Sequence, residues 1–364
     1  MQTEDAGQGQ ERAPRGGVGY APHRRVATRR RPLRLARRAR EKTVVRAYRA
    51  ASFTLGHVPA GVSFPVARAL FLASYYAWPS KRRTIVDNAA HVLGQPADHP
   101  EVRRLARRVF QTYARYVVEL MRLPSLEPDA PARLVRADHD NGVESFTRLY
   151  ERLRGEGRGM IVVAAHIGHL ETLAAAFAAK GWPVYGLADD SAYPELYELL
   201  AAQRRAWGVE VIAWRNMREI FRVLRQCAIL GLLVDWGFRS DGIPVRLFDH
   251  WTTLPAGPAL LAARTRAPIL PVVNRRNRDG TYSAEHFDPI EVPDDSPASL
   301  QRATQAIADA LERMVVAAPE QWYIFKPIWP ATEEEAAALR DRAAGMQGTG
   351  PDASDRPAVP AEPE

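Results

Sequence analysis

Three short runs constrain the fold of this chain more than any other feature. Residues 160–165, 229–234 and 269–273 are apolar almost throughout, with helical patterns between them. A strand that faces water on one side alternates apolar with polar residues. A strand apolar at every position has both faces covered, the condition of a parallel sheet between helical layers. The intervening segments fit this reading. Residues 171–180 are Ala-rich and helical in pattern, 194–207 and 217–226 read as helices, and 209–212 as a further strand. A helix over 257–265 leads into the third apolar run, and Leu300, Ile307, Leu311 and Val315 mark a late amphipathic helix. The expected fold class is α/β: a mixed, mostly parallel sheet covered by helices.

Upstream the pattern is helical only. Val102, Leu105, Val109, Tyr113, Val117 and Leu120 recur at helical spacing over 101–122, and Pro124 ends the run. The expected organisation is a basic disordered arm (1–43), an N-terminal helical, membrane-associating segment (44–125), an α/β domain (126–335) and a disordered tail (336–364). Ordinary globular composition, 46% hydrophobic and 25% charged over 364 residues, excludes disorder for the bulk. Fifty basic against 42 acidic residues leave +8, which favours an anionic partner. The lone Cys227 excludes an intramolecular disulfide and a multi-cysteine zinc site, fits a reducing cytoplasm, and reads as a small buried hydrophobe. The N-terminus lacks the apolar core of a signal peptide.

Two segments bear on membranes. Nine arginines crowd residues 24–40 with little apolar pattern. Such a run is solvated or held by anionic headgroups, and without a reading motif nucleic acid is not an expected partner. Residues 58–78 form the most apolar stretch and carry one charge, Arg68. The length would span a bilayer, but an arginine at the centre costs about 2.5–3.5 kcal/mol, and Pro59, Gly61 and Pro65 break the first half. A helix over 65–78 in the membrane interface is preferred. There Phe64, Leu70, Phe71, Tyr75, Tyr76 and Trp78 face lipid, and Lys81, Arg82 and Arg83 meet headgroups. A core helix is the alternative.

Several site signatures are missing: no G-x-S-x-G elbow, no phosphate loop of the G-x-x-x-x-G-K-S/T kind, no H-E-x-x-H. The glycines of 155–159 make a turn, not a dinucleotide fingerprint. What remains is Ala164-Ala165-His166-Ile167-Gly168-His169-Leu170-Glu171, where an apolar strand runs into a helix. Ligands gather at the C-terminal ends of such strands. Glu171, in the first helical turn, is expected to fold back toward His166, and a carboxylate–imidazole pair supports general-base chemistry. Amides at the helix N-terminus are candidates for stabilising an oxyanion. A His166/His169 metal pair is a weaker reading, and a capping histidine with a dipole-favoured glutamate is the plainest one.

Here the chain resembles a known family. His166-x4-Glu171 resembles the H-x4-D/E box of glycerolipid and lipid A-type acyltransferases. The stretch 231–248 is similar to that family's apolar strand ending in an acid, a loop, and G-V-x-V-x-F-F. Residues 254–259 resemble its P-A-G-P segment, 267–272 its buried strand, 319–322 its P-E-Q-W, and 83–88 its Arg…Asn element. These motifs, in one order between about 44 and 329, resemble the lipid A biosynthesis acyltransferases, a family that includes phosphatidylinositol mannoside acyltransferases. His169 stands where that family commonly has Asn, and Trp236-Gly237 replaces a usual charged pair.

The resemblance implies a glycerolipid acyltransferase-like fold. It also implies transfer of a fatty acyl chain from a thioester, acyl-CoA or acyl carrier protein, to a hydroxyl of a lipid-linked sugar. By match His166 is the base, Glu171 its motif carboxylate, and Asp235 an acid able to contact the same histidine. Arg205, Arg239 and His169 are the candidate substrate contacts. The expected location is peripheral, on the cytoplasmic face of the cell membrane, with an anionic surface and a glycolipid acceptor as partners. No cofactor or metal is expected, because a thioester is already activated. An acyl chain needs an apolar groove, for which Trp182, Trp207, Trp214 and Phe221 are candidates. Competing readings are a lysophospholipid or glycerolipid acyltransferase, a metal-dependent hydrolase, and a non-catalytic membrane-binding protein.

Overall fold

The computed structural model describes residues 31–127, 129–136, 142–189 and 193–348, with side chains from residue 40 onward. Among the described residues four helices come first: α1 (Arg31–His57), α2 (Ala60–Ala77), α3 (Pro79–Leu93) and α4 (Pro100–Arg122). Helix α4 forms as its periodicity requires. Pro100 occupies its first turn, where the absent N–H costs nothing, and Val102, Leu105, Val109 and Phe110 are buried. Helix α2 packs on α4 through Tyr75 against Phe110 and Phe71 against Tyr113. It begins at Ala60, earlier than expected, because Pro65 lies one turn in and forgoes a single backbone bond. Its opposite face leaves Val62, Val66, Leu70 and Tyr76 exposed. Among the described residues no helix is long and apolar enough to cross a membrane.

The α/β part follows as α5 (Ala130–Arg133), β1 (Val135–Arg136), α6 (Val143–Gly155), β2 (Met160–Ala164), α7 (Leu170–Ala178), β3 (Val184–Ala188) and α8 (Pro194–Arg205). Then come β4 (Val209–Ala213), α9 (Met217–Arg225), β5 (Ile229–Leu233), β6 (Ile243–Leu247), β7 (His250–Leu254) and α10 (Gly257–Thr265). The chain closes with β8 (Ile269–Arg276), β9 (Tyr282–His286), α11 (Pro297–Ala317) and α12 (Glu333–Gln347). Among the described residues seven strands form one sheet in the order β1-β9-β8-β2-β5-β3-β4, parallel except for β8–β9. The hairpin β6–β7 stands apart. The fold is therefore the mixed, mostly parallel sheet with an N-terminal helical segment that the sequence implied. One apolar cluster fills the side of α9, α10 and α11, and a second lies under α6 and α7.

Three details correct the expectations. The arm does not run to residue 43: α1 starts at Arg31, and the buried Glu41 accepts the Glu195 N–H at 2.6 Å, closing the N-terminus of α8. Residues 1–30, with the first part of the arginine run, lie outside the described residues. The tail does not begin at 336. Thr332 caps α12 by accepting the Glu335 N–H, three first-turn glutamates suit the helix dipole, and Leu339 and Ala343 are buried. Residues 349–364 lie outside the described residues. Cys227 is only partly buried; it turns α9 into β5 with a left-handed φ of 58°.

Candidate active site

Register decides which side chains meet. β2 and β5 run parallel with Ala164 beside Leu233, and Val234 donates its N–H to the Ala164 carbonyl at 3.1 Å. Two residues further along each strand, His166 and Asp235 stand side by side at the C-terminal sheet end. His166 Nδ1 lies 2.7 Å from Asp235 Oδ1, and the His166 backbone N–H donates to Oδ2 at 2.8 Å. The Trp322 indole N–H donates to the same Oδ2 at 2.8 Å. An ionised carboxylate only accepts, so Nδ1 carries the ring proton and Nε2 presents its lone pair. Asp235 is 1% exposed, whereas the His166 side chain keeps 30% of its surface. Burial opposes the imidazolium, but the Asp235 charge outweighs it and holds the His166 pKa above the ordinary value. Burial likewise opposes the carboxylate, but His166 and the Trp322 N–H hold the Asp235 pKa low. Such a pair can take up a proton at Nε2.

The loop after β2 is clamped from behind. Gly168 has φ +63°, and a Cβ there would sit 1.7 Å from the Asn274 carbonyl oxygen of β8. Asn274 Nδ2 donates to the His169 carbonyl at 2.6 Å and to Thr172 Oγ1 at 2.9 Å. In front, Ile167 bridges Trp322 and the Tyr323 N–H donates to the His166 carbonyl at 2.8 Å.

Glu171 does not fold back onto His166. It points inward, to 3.1 Å from Arg204 Nη2 and 3.4 Å from His169 Nδ1. The first turn of α7 aims it away from the strand end, so the carboxylate at His166 comes from the neighbouring strand instead. Burial opposes its charge, but His169 and Arg204 hold its pKa below the ordinary glutamate value. His169 is 1% exposed, with its ring tilted against Tyr116 at 5.2 Å between centroids; burial lowers its pKa, and among the described residues neither ring nitrogen has a hydrogen-bond partner.

Glu171 and Arg204 sit at the edge of an apolar cavity of about 170 Å³ under α7. Leu173, Phe177, Tyr185, Leu187, Trp207 and Leu232 line much of it. Gly186 of β3 and Gly231 of β5 are register partners, and the absence of both side chains opens the space. Of the aromatic candidates Trp207 alone lines it: Trp182 and Phe221 pack in the core, and Trp214 is exposed. Arg205 is exposed; its neighbour Arg204 is the one at the cavity, since α8 turns that position inward. Arg239, a candidate substrate contact, pairs with Asp241 at 2.8 Å, both side chains exposed. Three residues here escaped sequence reasoning: Arg204, Trp322 and Lys326. Lys326 Nζ sits 4.5 Å over the Trp236 ring, which meets His166 edge-on at 5.9 Å. The P-E-Q-W motif was a signal for Trp322; Lys326, an isolated lysine, had none. Among the described residues no group of three or more His, Cys, Asp or Glu is placed to hold a metal ion.

The family model for bacterial lipid A biosynthesis acyltransferases matches residues 40–330. A phosphatidylinositol mannoside acyltransferase of Mycolicibacterium smegmatis is 28% identical over 261 residues, spanning 69% of this chain and 81% of that protein. One from Mycobacterium tuberculosis is 27% identical over 279 residues, spanning 74% and 84%. With a match that covers the helical layer and the sheet alike, the chain belongs to the bacterial lipid A biosynthesis acyltransferase family.

Proposed function

We propose that this acyltransferase moves a fatty acyl chain from an acyl thioester, of coenzyme A or acyl carrier protein, to a sugar hydroxyl of a phosphatidylinositol mannoside-type glycolipid. The observation that carries the reading is the partly exposed His166 imidazole, bonded at Nδ1 to a buried Asp235. His166 Nε2 removes the proton of the acceptor hydroxyl as its oxygen bonds to the thioester carbonyl carbon. Asp235 holds the ring and stabilises the imidazolium. The tetrahedral intermediate collapses, the carbon–sulfur bond breaks, and the imidazolium returns the proton to the departing thiolate. Base catalysis of this kind contributes about 10²–10⁴-fold. The thioester is activated already, so the scheme needs neither a metal nor a serine nucleophile.

The cavity beside Glu171 suits the acyl chain, each buried methylene contributing about 0.8 kcal/mol. The Glu171–Arg204 pair lines this cavity, and Lys326 lies over Trp236 beside His166. The relatives' names favour a mannoside acceptor over a simple lysophospholipid. Purified protein given palmitoyl-CoA and a phosphatidylinositol mannoside fraction should release thiol and yield a product heavier by one palmitoyl group. Thiol release with no acceptor-dependent product would refute the assignment.

The exposed apolar face of α2, with Trp78 and the basic Arg82 and Arg83 beyond it, supports peripheral attachment to an anionic membrane. Such attachment belongs at the cytoplasmic face, where thioester donors are made. Flotation with anionic vesicles should be weakened by salt and by Leu70→Ser, and lost in detergent. Flotation that is no better with anionic vesicles than without them rules the attachment out.

A further inference from the structure

We infer that Trp322 is a positioning residue for acyl transfer, acting through Asp235 on His166. This deepens the proposed function and rests on it. Asp235 Oδ1 is bonded to the imidazole, while Oδ2 receives two N–H groups that cannot ionise, from the His166 backbone and the Trp322 indole. An indole N–H can only donate, so it selects the ionised carboxylate and fixes the plane that aims Oδ1 at the ring. The same segment also holds the histidine from its other side. Ile167 bridges Trp322, and the Tyr323 N–H bonds the His166 carbonyl. Trp322 is itself buried, 4% exposed, and meets Trp329 edge-on at 6.5 Å, so its ring cannot swing away without disturbing the core. A single stretch, 321–323, thus positions both members of the pair. Arg204 and Glu171, by contrast, touch neither Oδ atom among the contacts described.

The N–H also sets how much of the Asp235 charge His166 feels. A donor on Oδ2 draws charge away from Oδ1, and its removal leaves more charge facing the imidazolium. Trp322→Phe keeps an aromatic ring and deletes the N–H. It should lower kcat about tenfold with KM within about twofold, and move the acid limb of the kcat/KM profile to higher pH. In an Asp235→Asn background the same substitution should change kcat by less than about twofold, because the carboxylate it serves is gone. Equal losses in both backgrounds with an unmoved limb would make Trp322 a packing residue and overturn the inference.

A spectroscopic measurement separates this from the acyltransferase reading and does not depend on the variant folding. In the unaltered protein with ¹⁵N-labelled tryptophan and histidine, the Trp322 indole N–H resonance should shift with the same midpoint as the His166 ring. An indole resonance indifferent to that titration overturns the inference even if transfer is robust. A shared midpoint in a protein that shows no transfer would leave the coupling intact and remove the proposed function instead.

Discussion

Two histidines three residues apart in sequence each face a carboxylate, and they end in opposite environments. At the mouth, His166 is partly exposed and shares a hydrogen-bonded carboxylate with Trp322; at the inner end, His169 is sealed among tyrosines beside Glu171 and Arg204. Their pKa values move apart, His166 upward and His169 downward, although burial opposes the charged form in both. The difference is the partner. Asp235 bonds the His166 ring directly, whereas Glu171 divides its charge between His169 and Arg204. Position after the strand, not residue type, sets the two histidines apart: at the strand end the ring is partly exposed and backed by a carboxylate from the neighbouring strand.

The two regions share one hinge point, and breaking it should have the largest effect. Gly168→Ala drives a methyl group into the Asn274 carbonyl in a left-handed conformation. A cost of about 3 kcal/mol or more is expected, seen as a large fall in Tm and loss of activity. A thermal melt unchanged by this substitution would show that the loop is not clamped as described.

Asp235→Asn should act on the mouth alone. It removes the charge and hydrogen bond that raise the His166 pKa most, leaving burial, the largest influence, and Lys326 to lower it against the smaller upward pull of Glu171. Turnover should fall about 10–10²-fold. In the unaltered protein kcat/KM should decline as pH drops through a value above the ordinary histidine pKa of about 6.5. In the variant the limb should lie below that value. A limb that stays in place would separate Asp235 from His166.

Glu171→Gln should disturb the inner end. It leaves Arg204 without its partner, so a loss of about 1–3 kcal/mol in stability should accompany a milder fall in rate. A variant with unaltered melting and unaltered kinetics would leave the inner pair without a role. The smallest effect on rate is expected of Gly186→Leu, for which a Cβ finds open space in the cavity. It should shift preference to acyl chains shorter by a few carbons while sparing thiol release from short donors. An unchanged chain-length profile would move the acyl chain elsewhere.

The central strands were legible because a strand buried on both faces has a one-letter pattern: apolar without interruption. β3 was not, since Val184–Ala188 includes Gly186 and lines a cavity, so it never needed a continuous apolar face. The place of His166 just past the end of a central strand was legible. The partner of His166 was misread from local sequence, because Glu171 is five residues away in the chain while Asp235 arrives through the register of β2 on β5. Arg204 and Arg205 differ only in the rotation of α8, a property of packing that two adjacent arginines do not encode. The ends of the chain were judged by composition, which passes over a capped, charged helix such as α12.

The most direct test sets the two histidines against each other in one assay. His166→Ala and His169→Asn are compared for acceptor-dependent thiol release, with thermal melts to establish that both fold. The account predicts that His166→Ala loses at least about 10²-fold in kcat with melting close to the unaltered protein, and that His169→Asn stays within about tenfold. If His166→Ala keeps more than about a tenth of the rate, or if His169→Asn is the more damaging of the two, the base is not at the mouth and the account is wrong.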